Sequence, residues 1–216
     1  MSQMSLERRL HDSDIFPHVK YSSLPQPYSS DSSVIKYLPM GAVYINEQGK
    51  SVVANSDRRA VHEYQARQMD DIVRDYTRSK EGRAFHDYAR SCGHTFIQLI
   101  GAGTGDLGEH TVAAVIHDGK KGIIVSNYDG KDFRTRVSEF ASQYGLKHEA
   151  ALEYVLTHEF GHVAGYNTES SNEGFIKDYF LHRAAVTHGG EREKYKTLAE
   201  VAGQREQEAQ NAGYTN

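Results

Sequence analysis

Two histidines and a glutamate in the second half of the chain have the spacing of a metal site. They form the run His158-Glu-Phe-Gly-His162, in a segment whose pattern predicts a helix. Histidines four residues apart lie one turn above each other on a helix, so both imidazoles can bind one Zn²⁺ ion. Glu159 follows the first histidine, and its carboxylate can hold and deprotonate a water molecule that the ion activates. These residue types at this spacing therefore predict metal-assisted hydrolysis.

The helix that must position this motif is predicted to run from about Lys147 to Ala164 and to end at Gly165. One stripe along it is apolar and can face the core. That stripe contains Leu152, Leu156, Phe160 and Val163. The motif falls on the neighbouring stripe. A pair of surface histidines with an intervening acid would produce the same letters, but the apolar stripe beside them favours a metal site.

A catalytic zinc site needs a third protein ligand and keeps its fourth position for water. Metzincin peptidases place a third histidine six residues after the second, but Thr168 occupies that position here, so the chain is not a metzincin. Glu169 falls in a predicted loop, where a ligand is harder to hold rigidly. At about 100° per residue, His182 would point away from Glu173 on the next predicted helix. The candidates are Glu169, Glu173, Asp178 and His182.

The rest of the sequence predicts an α+β fold, with a small, mainly antiparallel sheet backed by helices. The predicted strands cover residues 42–45, 51–54, 95–100, 111–116 and 122–125, and the turn at 117–121 favours a hairpin. The predicted helices cover residues 55–78, 83–90, 132–145, 147–164, 171–187 and 191–209. A glycine pattern at 103–108 resembles a dinucleotide-binding turn. Because a strand rather than a helix follows it, we interpret it as a loop.

The organisation along the chain predicts one main domain between two polar ends. At 216 residues, the chain is long enough for a domain with a conventional core. Residues 1–33 are rich in Ser, Asp, Gln and Pro and predict a weakly ordered arm or a pro-segment. Residues 34–209 are the predicted domain, and residues 210–216 are a tail.

The composition excludes several classes of function. A net charge of −4 provides no basic field for nucleic acid or for an acidic membrane. Cys92 is the only cysteine, so it cannot form an intrachain disulfide, and we interpret it as a half-buried thiol at a helix end. The charged N-terminus and the lack of a membrane-length apolar run predict a soluble, cytoplasmic protein. The oligomeric state stays open, and a homodimer is one of the options.

In the order of its elements, the chain resembles the gluzincin zinc metallopeptidases, and most closely the minigluzincins, which are minimal single-domain archaeal zincins. The shared features are the motif at 158–162, a short loop, the Asn172-Glu173 pair and a charged helix over 191–200. The resemblance implies a zincin-like catalytic domain and selects Glu173 as the third Zn²⁺ ligand. The competing interpretation of Glu173 is a capping box with Ser170.

The resemblance also implies a function, which is zinc-dependent endopeptidase activity on a peptide or protein substrate, with Glu159 as the base. A strand within 109–117 would pair with an extended peptide. A side chain that stabilises the oxyanion is expected, and the sequence leaves it open among Tyr166, Tyr179, His182 and His188.

Two further features of the family can be compared with this chain. In thermolysin-like members an aspartate four positions after the ligand glutamate supports a zinc histidine; counted from Glu173, that position is Lys177, and Asp178 lies one further. The minimal members resemble latent enzymes whose terminal segments block the cleft. Here, residues 1–33 or the polar segment after Arg205 would take that role.

Two other functions share the motif. Regulator-cleaving metallopeptidases of the antitoxin-associated type also carry it, but they often contain a DNA-binding helix-turn-helix, which this sequence does not show. The alternative that is not an enzyme is a structural or interaction protein in which zinc only holds helices together.

Overall fold

The structure is a computed structural model that describes residues 43–45, 56–105, 107, 111–117, 119–127 and 131–213. It confirms the α+β class. The elements in chain order are β1 (Val43–Ile45), α1 (Ser56–Arg78), α2 (Lys80–Ser91), β2 (Gln98–Gly105), β3 (Ala113–His117), β4 (Lys121–Asn127), α3 (Phe133–Gln143), α4 (His148–Val163), α5 (Glu169–Val186) and α6 (Gly189–Asn211). The predicted arm at 1–33 and the predicted strand at 51–54 lie outside the described residues.

Two compact units divide the chain. The first takes the described parts of residues 1–83 and 97–136, and the second takes residues 84–96 and the described part of 137–216. No helix in the described part of the chain combines the length and the apolar character that crossing a membrane requires.

The sheet belongs to the first unit, where α1 packs against β1, β2 and β4. Its strand order is β1-β2-β4-β3. The prediction of a mainly antiparallel sheet is wrong, because β1–β2 and β2–β4 are parallel and only β3–β4 is antiparallel. The chain leaves β2, forms β3, and returns as β4 between the two. The interior of β2 and β4 is buried almost without a break, which is typical of parallel strands covered on both faces.

The hairpin of β3 and β4 is confirmed, with Gly119 in its turn at φ 85°. The predicted strand at 95–100 begins later, at Gln98, and continues through Gly105. The interpretation of 103–108 as a loop is therefore wrong for residues 103–105, which pair with both β1 and β4. In the described sheet β3 is an edge strand, whereas its pairing with a peptide stays a prediction.

Helix α4 is the buried centre of the second unit. Every residue from Glu153 to Val163 is buried, while Leu152 of the predicted apolar stripe is only half-buried. Because α4 is enclosed on all sides, the motif is buried together with the apolar residues beside it. Aromatic side chains fill much of the surrounding core, and the fully buried ones include Phe85, Tyr154, Phe160, Tyr179, Phe180 and Tyr195.

Helix α6 packs along α5 and extends further than the sequence predicts. It begins at Gly189 and ends at Asn211, so residues 210 and 211 are helical rather than part of a tail. The segment after Arg205 is part of the packed unit, because Glu206 pairs with Lys177 of α5 and Ala209 is buried. Up to residue 211 this segment is therefore a packed helix rather than a free tail, whereas its role in blocking a cleft stays a prediction.

Candidate metal centre

The two motif histidines meet on one face of α4, as their spacing predicts. Both rings are buried, and the Nε2 atom of His158 lies 3.2 Å from the Nε2 atom of His162. The helix continues one residue beyond them to Val163, and Gly165 takes φ 104°, a left-handed conformation that lets the chain turn away. The turn leads directly to the next helix.

Glu169 is the third member of the cluster, because α5 begins two residues earlier than predicted. The hydroxyl of Thr168 accepts a hydrogen bond from the Ser171 backbone amide at 3.3 Å and caps α5 there. Glu169 is consequently the first residue of a helix and not a loop residue. One of its carboxylate oxygens lies 3.3 Å from Nε2 of His158, and the other lies 3.6 Å from Nε2 of His162.

These three side chains fit a metal ion. Their ligand atoms all lie within 4.8 Å of one another. Zinc bonds of about 2.0–2.1 Å in a tetrahedron place neighbouring ligand atoms about 3.3 Å apart, close to the separations found here. Two imidazole nitrogens and one carboxylate are the donor set of catalytic zinc sites that keep a fourth position open. The Glu169 side chain is 39% exposed, so the cluster reaches solvent on that side.

Glu173, the ligand selected from the sequence, lies on the other side of His158. Its Oε1 atom is 3.0 Å from Nδ1 of His158, and the side chain is 1% exposed. The contact has the distance of an ion pair, although the ring N–H does not point directly at the oxygen. Glu173 therefore lies outside the group of atoms that could hold one metal ion, and Glu169 belongs to that group instead. Residues 169 and 173 are one helical turn apart, so α5 brings both carboxylates to His158.

Each histidine thus has an oxygen atom close to its Nδ1 atom, and its Nε2 atom faces the cluster. Nδ1 of His162 lies 2.6 Å from the backbone oxygen of Tyr166, and Nδ1 of His158 faces Glu173. A proton on Nδ1 leaves the Nε2 lone pair available for a metal, and the acceptors hold both rings in orientation.

The ionisation of each carboxyl and imidazole group in the cluster depends on the charges of the others. Burial alone would disfavour ionisation of Glu169, but the two histidines outweigh it and hold the pKa of Glu169 well below its usual range. Burial likewise lowers the pKa of His158, yet the carboxylates of Glu173 and Glu169 raise it well above its ordinary value. The cluster without metal therefore favours charged groups in contact, and a metal ion would replace the ring protons as the positive charge.

Glu159 lies beside the cluster without a partner for one of its oxygens. The residue is 3% exposed, and its Oε2 atom is buried with no hydrogen-bond partner among the described residues. Burial raises the pKa of the Glu159 carboxyl, although the nearby His158 and His162 oppose the shift. A buried carboxylate oxygen without a partner, next to three side chains that could bind a metal ion, is suited to hold a water molecule or to accept a proton.

Helices α4 and α5 approach each other closely at Gly161. The Asn172 side chain lies over this glycine and donates a hydrogen bond from Nδ2 to the His158 carbonyl at 2.9 Å. A Cβ atom at position 161 would lie only 1.9 Å from the Asn172 Oδ1 atom. Gly161 therefore permits the contact that holds α5 against α4.

We expect Gly161→Ala to lower the free energy of unfolding by about 1–3 kcal/mol, because overpacking would displace Asn172 and its hydrogen bond. Denaturant unfolding of the metal-free chain measures this effect. Gly190→Ala is the matched control, since a Cβ at Gly190 of α6 meets nothing within 4 Å and should change stability by about 1 kcal/mol or less, in the stabilising direction. Equal stability of the two variants would contradict the close-approach argument.

Two partners of Glu173 were not predicted. The Tyr154 hydroxyl donates to Oε2 of Glu173, and Nε of Arg205 donates to Oε1 at 2.5 Å. Tyr154 precedes His158 by four residues and shares its face of α4, so helical spacing could have found it. Arg205 is 32 residues away from Glu173, and no local pattern connects them.

The remaining predicted residues have different surroundings. The Tyr166 hydroxyl is hydrogen-bonded to Nε2 of His94 at 2.8 Å, and Tyr179 is fully buried. His182 is exposed and packs on the Tyr88 ring, with centroids 5.2 Å apart. His188 is the N-cap residue of α6. Asp178 is exposed, and Cys92 is exposed rather than half-buried.

Comparisons with known proteins give no relative: no family model matches the chain, and no curated protein or solved structure matches it. The interpretation of the site therefore depends on its geometry and chemistry.

Proposed function

We propose that this protein is a zinc-dependent endopeptidase whose ligands are His158, His162 and Glu169. The observation that carries the proposal is the convergence of two Nε2 atoms and a carboxylate beside the unpartnered oxygen of Glu159. Three protein ligands with an adjacent buried carboxylate suit a catalytic site better than a structural one, since structural zinc sites use four protein ligands.

The position of Glu173 supports the gluzincin assignment. In thermolysin-like members the residue four positions after the ligand glutamate is an acid that supports a zinc histidine. Counted from Glu169, that residue is Glu173, and it contacts Nδ1 of His158. When the count begins at Glu169, one helical turn before Glu173, Lys177 no longer falls at the position where those members have the supporting acid. A glutamate stands where those members have an aspartate.

In the proposed reaction, different residues bind the metal, orient its ligands and transfer the proton. Zinc, when bound, would polarise the scissile carbonyl and lower the pKa of a water molecule towards neutrality. His158 and His162 would present neutral Nε2 atoms, kept in place by Glu173 and the Tyr166 carbonyl. Glu159 takes a proton from the attacking water and passes it to the leaving amine. Burial of Glu159 raises the pKa of its carboxyl, which makes the carboxylate a better acceptor for the proton of the attacking water.

Zinc loading and peptide cleavage should depend on each other. We expect the zinc-loaded chain to cleave casein or an unstructured peptide, to lose this activity when a chelator removes the metal, and to regain it with stoichiometric zinc. Metal content is measured by atomic absorption and cleavage by mass spectrometry. Cleavage is measured for two forms, the full chain and a chain that lacks residues 1–33. Residues 1–33 are a predicted blocking segment, so their removal should open the site to substrate.

The outcomes separate the candidate functions. Full zinc occupancy with no cleavage by either form would contradict the peptidase and favour a metal that only holds the helices together. Failure to bind zinc at all would contradict the metal centre itself.

A further inference from the structure

We infer that Arg205 of α6 is a positioning residue for the metal centre, so that packing of α6 and metal binding are energetically coupled. This inference rests on the proposed metal centre and adds to it a helix that contributes no ligand. Arg205 acts through Glu173, and Glu173 acts through His158.

The contacts form a continuous path from α6 to the metal histidine. Nε of Arg205 donates to Oε1 of Glu173 at 2.5 Å, and the same oxygen lies 3.0 Å from Nδ1 of His158. The other oxygen of Glu173 accepts from the Tyr154 hydroxyl. Three helices therefore meet at one carboxylate: α4 through Tyr154 and His158, α5 through Glu173 itself, and α6 through Arg205.

Burial makes the arginine necessary for this arrangement. Glu173 is 1% exposed and Arg205 is 29% exposed, and a buried carboxylate is costly unless it is paired. The guanidinium is also held from the side, because its Cζ lies 5.6 Å from the centroid of the Phe140 ring. Without Arg205, Glu173 would lose a partner charge and would no longer be held beside Nδ1. The His158 ring would then lose its orienting acceptor.

Such a path works in both directions. If packing of Arg205 improves zinc affinity, bound zinc must improve packing of α6 by the same free energy. Zinc should therefore slow amide hydrogen exchange in the second half of α6, even though no residue of that helix would touch the ion.

The neighbouring residue provides a matched control. Glu206 follows Arg205 on α6 and also pairs with α5, since its carboxylate accepts from Nζ of Lys177 at 2.5 Å. The Lys177 and Glu206 side chains are 35% and 23% exposed. Arg205→Gln and Glu206→Gln thus each remove one ion pair between the same two helices. The first pair includes Glu173, which lies beside His158, and the second pair is Lys177 with Glu206.

The experiment compares zinc dissociation constants of the full chain and both variants, measured by competition with a chromophoric chelator. We expect Arg205→Gln to weaken zinc binding about tenfold or more, as the loss of groups that orient metal ligands does. Glu206→Gln should bind within about twofold of the parent, since a partly exposed ion pair contributes little. Arg205→Lys, which keeps the charge but loses the planar group, should lie between parent and Arg205→Gln.

Hydrogen exchange with and without zinc provides the second measurement. We expect zinc to slow exchange in residues 198–209 of the parent and of Glu206→Gln, and to have a much smaller effect in Arg205→Gln. Equal zinc affinity of the two glutamine variants would overturn the inference. So would the absence of zinc-dependent protection in parental α6, which decides the matter even if circular dichroism shows that Arg205→Gln does not fold. If the parent binds no zinc, the metal centre fails and this inference with it.

Discussion

The Glu159→Gln variant should retain zinc but hydrolyse peptides about 10²–10⁴-fold more slowly than the parent, because it loses the proposed general base. The carboxamide has nearly the same size as the carboxylate, and Glu159 is not among the three side chains that converge on the metal position. The carboxamide, unlike the carboxylate, cannot accept the proton of the attacking water. Metal content by atomic absorption and single-turnover cleavage of a peptide measure the two effects separately.

Glu149→Gln is the control for this substitution. Glu149 lies in the first turn of α4 and is exposed, so the same chemical change on the same helix should leave both metal content and cleavage close to those of the parent. If Glu159→Gln cleaves at the parental rate, Glu159 is not the base and the proposed mechanism is wrong.

Glu169→Gln should lose more zinc affinity than Glu173→Gln, which distinguishes a ligand from a residue that orients a ligand. A neutral amide oxygen is a poor replacement for a carboxylate ligand. Loss of the partner of a metal-bound histidine costs about 10–100-fold in affinity, which is the range that we expect for Glu173→Gln. For Glu169→Gln the loss should exceed that range, and the variant should emerge from dialysis without metal.

Competition with a chromophoric chelator, as for the Arg205 variants, measures both zinc affinities. The same measurement tests Glu173, the ligand first selected from the sequence. If Glu173→Gln loses zinc and Glu169→Gln keeps it, Glu173 is the ligand after all and α5 begins elsewhere in the metal-bound chain. Glu193→Gln is a suitable control, since Glu193 is an exposed carboxylate of α6 that pairs with Lys196 of the same helix.

The motif and its helix were predictable because they depend on short-range spacing. His158 and His162 are four residues apart, and any α-helix brings two such side chains to one face. The order of helices after residue 131 was predictable for the same reason, since their apolar periods and glycine stops are local. The length of α5 was not, because Thr168 caps the helix where the sequence also offered Ser170.

That difference of two residues decided which carboxylate lies beside the two Nε2 atoms. With α5 starting at Glu169, the carboxylate of this residue is held rigidly beside both Nε2 atoms, and Glu173 falls one turn further along, at Nδ1 of His158. The helix boundary could not be read closely enough from capping signals, since several hydroxyl residues in succession can cap a helix.

The sheet was mispredicted for a different reason. The β3–β4 hairpin joins neighbours in sequence and was found, whereas the parallel pairing of β2 with β4 joins strands that are separated by β3. Pairing of this kind depends on which strand edge remains open once the others have formed, and no local pattern encodes it.

The amino-acid sequence by itself predicted the groups on which the proposed chemistry depends: two imidazoles and a carboxylate that the spacing of a regular helix brings to one side. Only the tertiary structure decided which acid joins the two histidines in the candidate metal site and which residues hold that acid and the histidines in place. Glu169 and Glu173 reach His158 from α5, and Arg205 of α6 reaches Glu173. Contacts between distant segments follow from how helices pack and not from their local sequence.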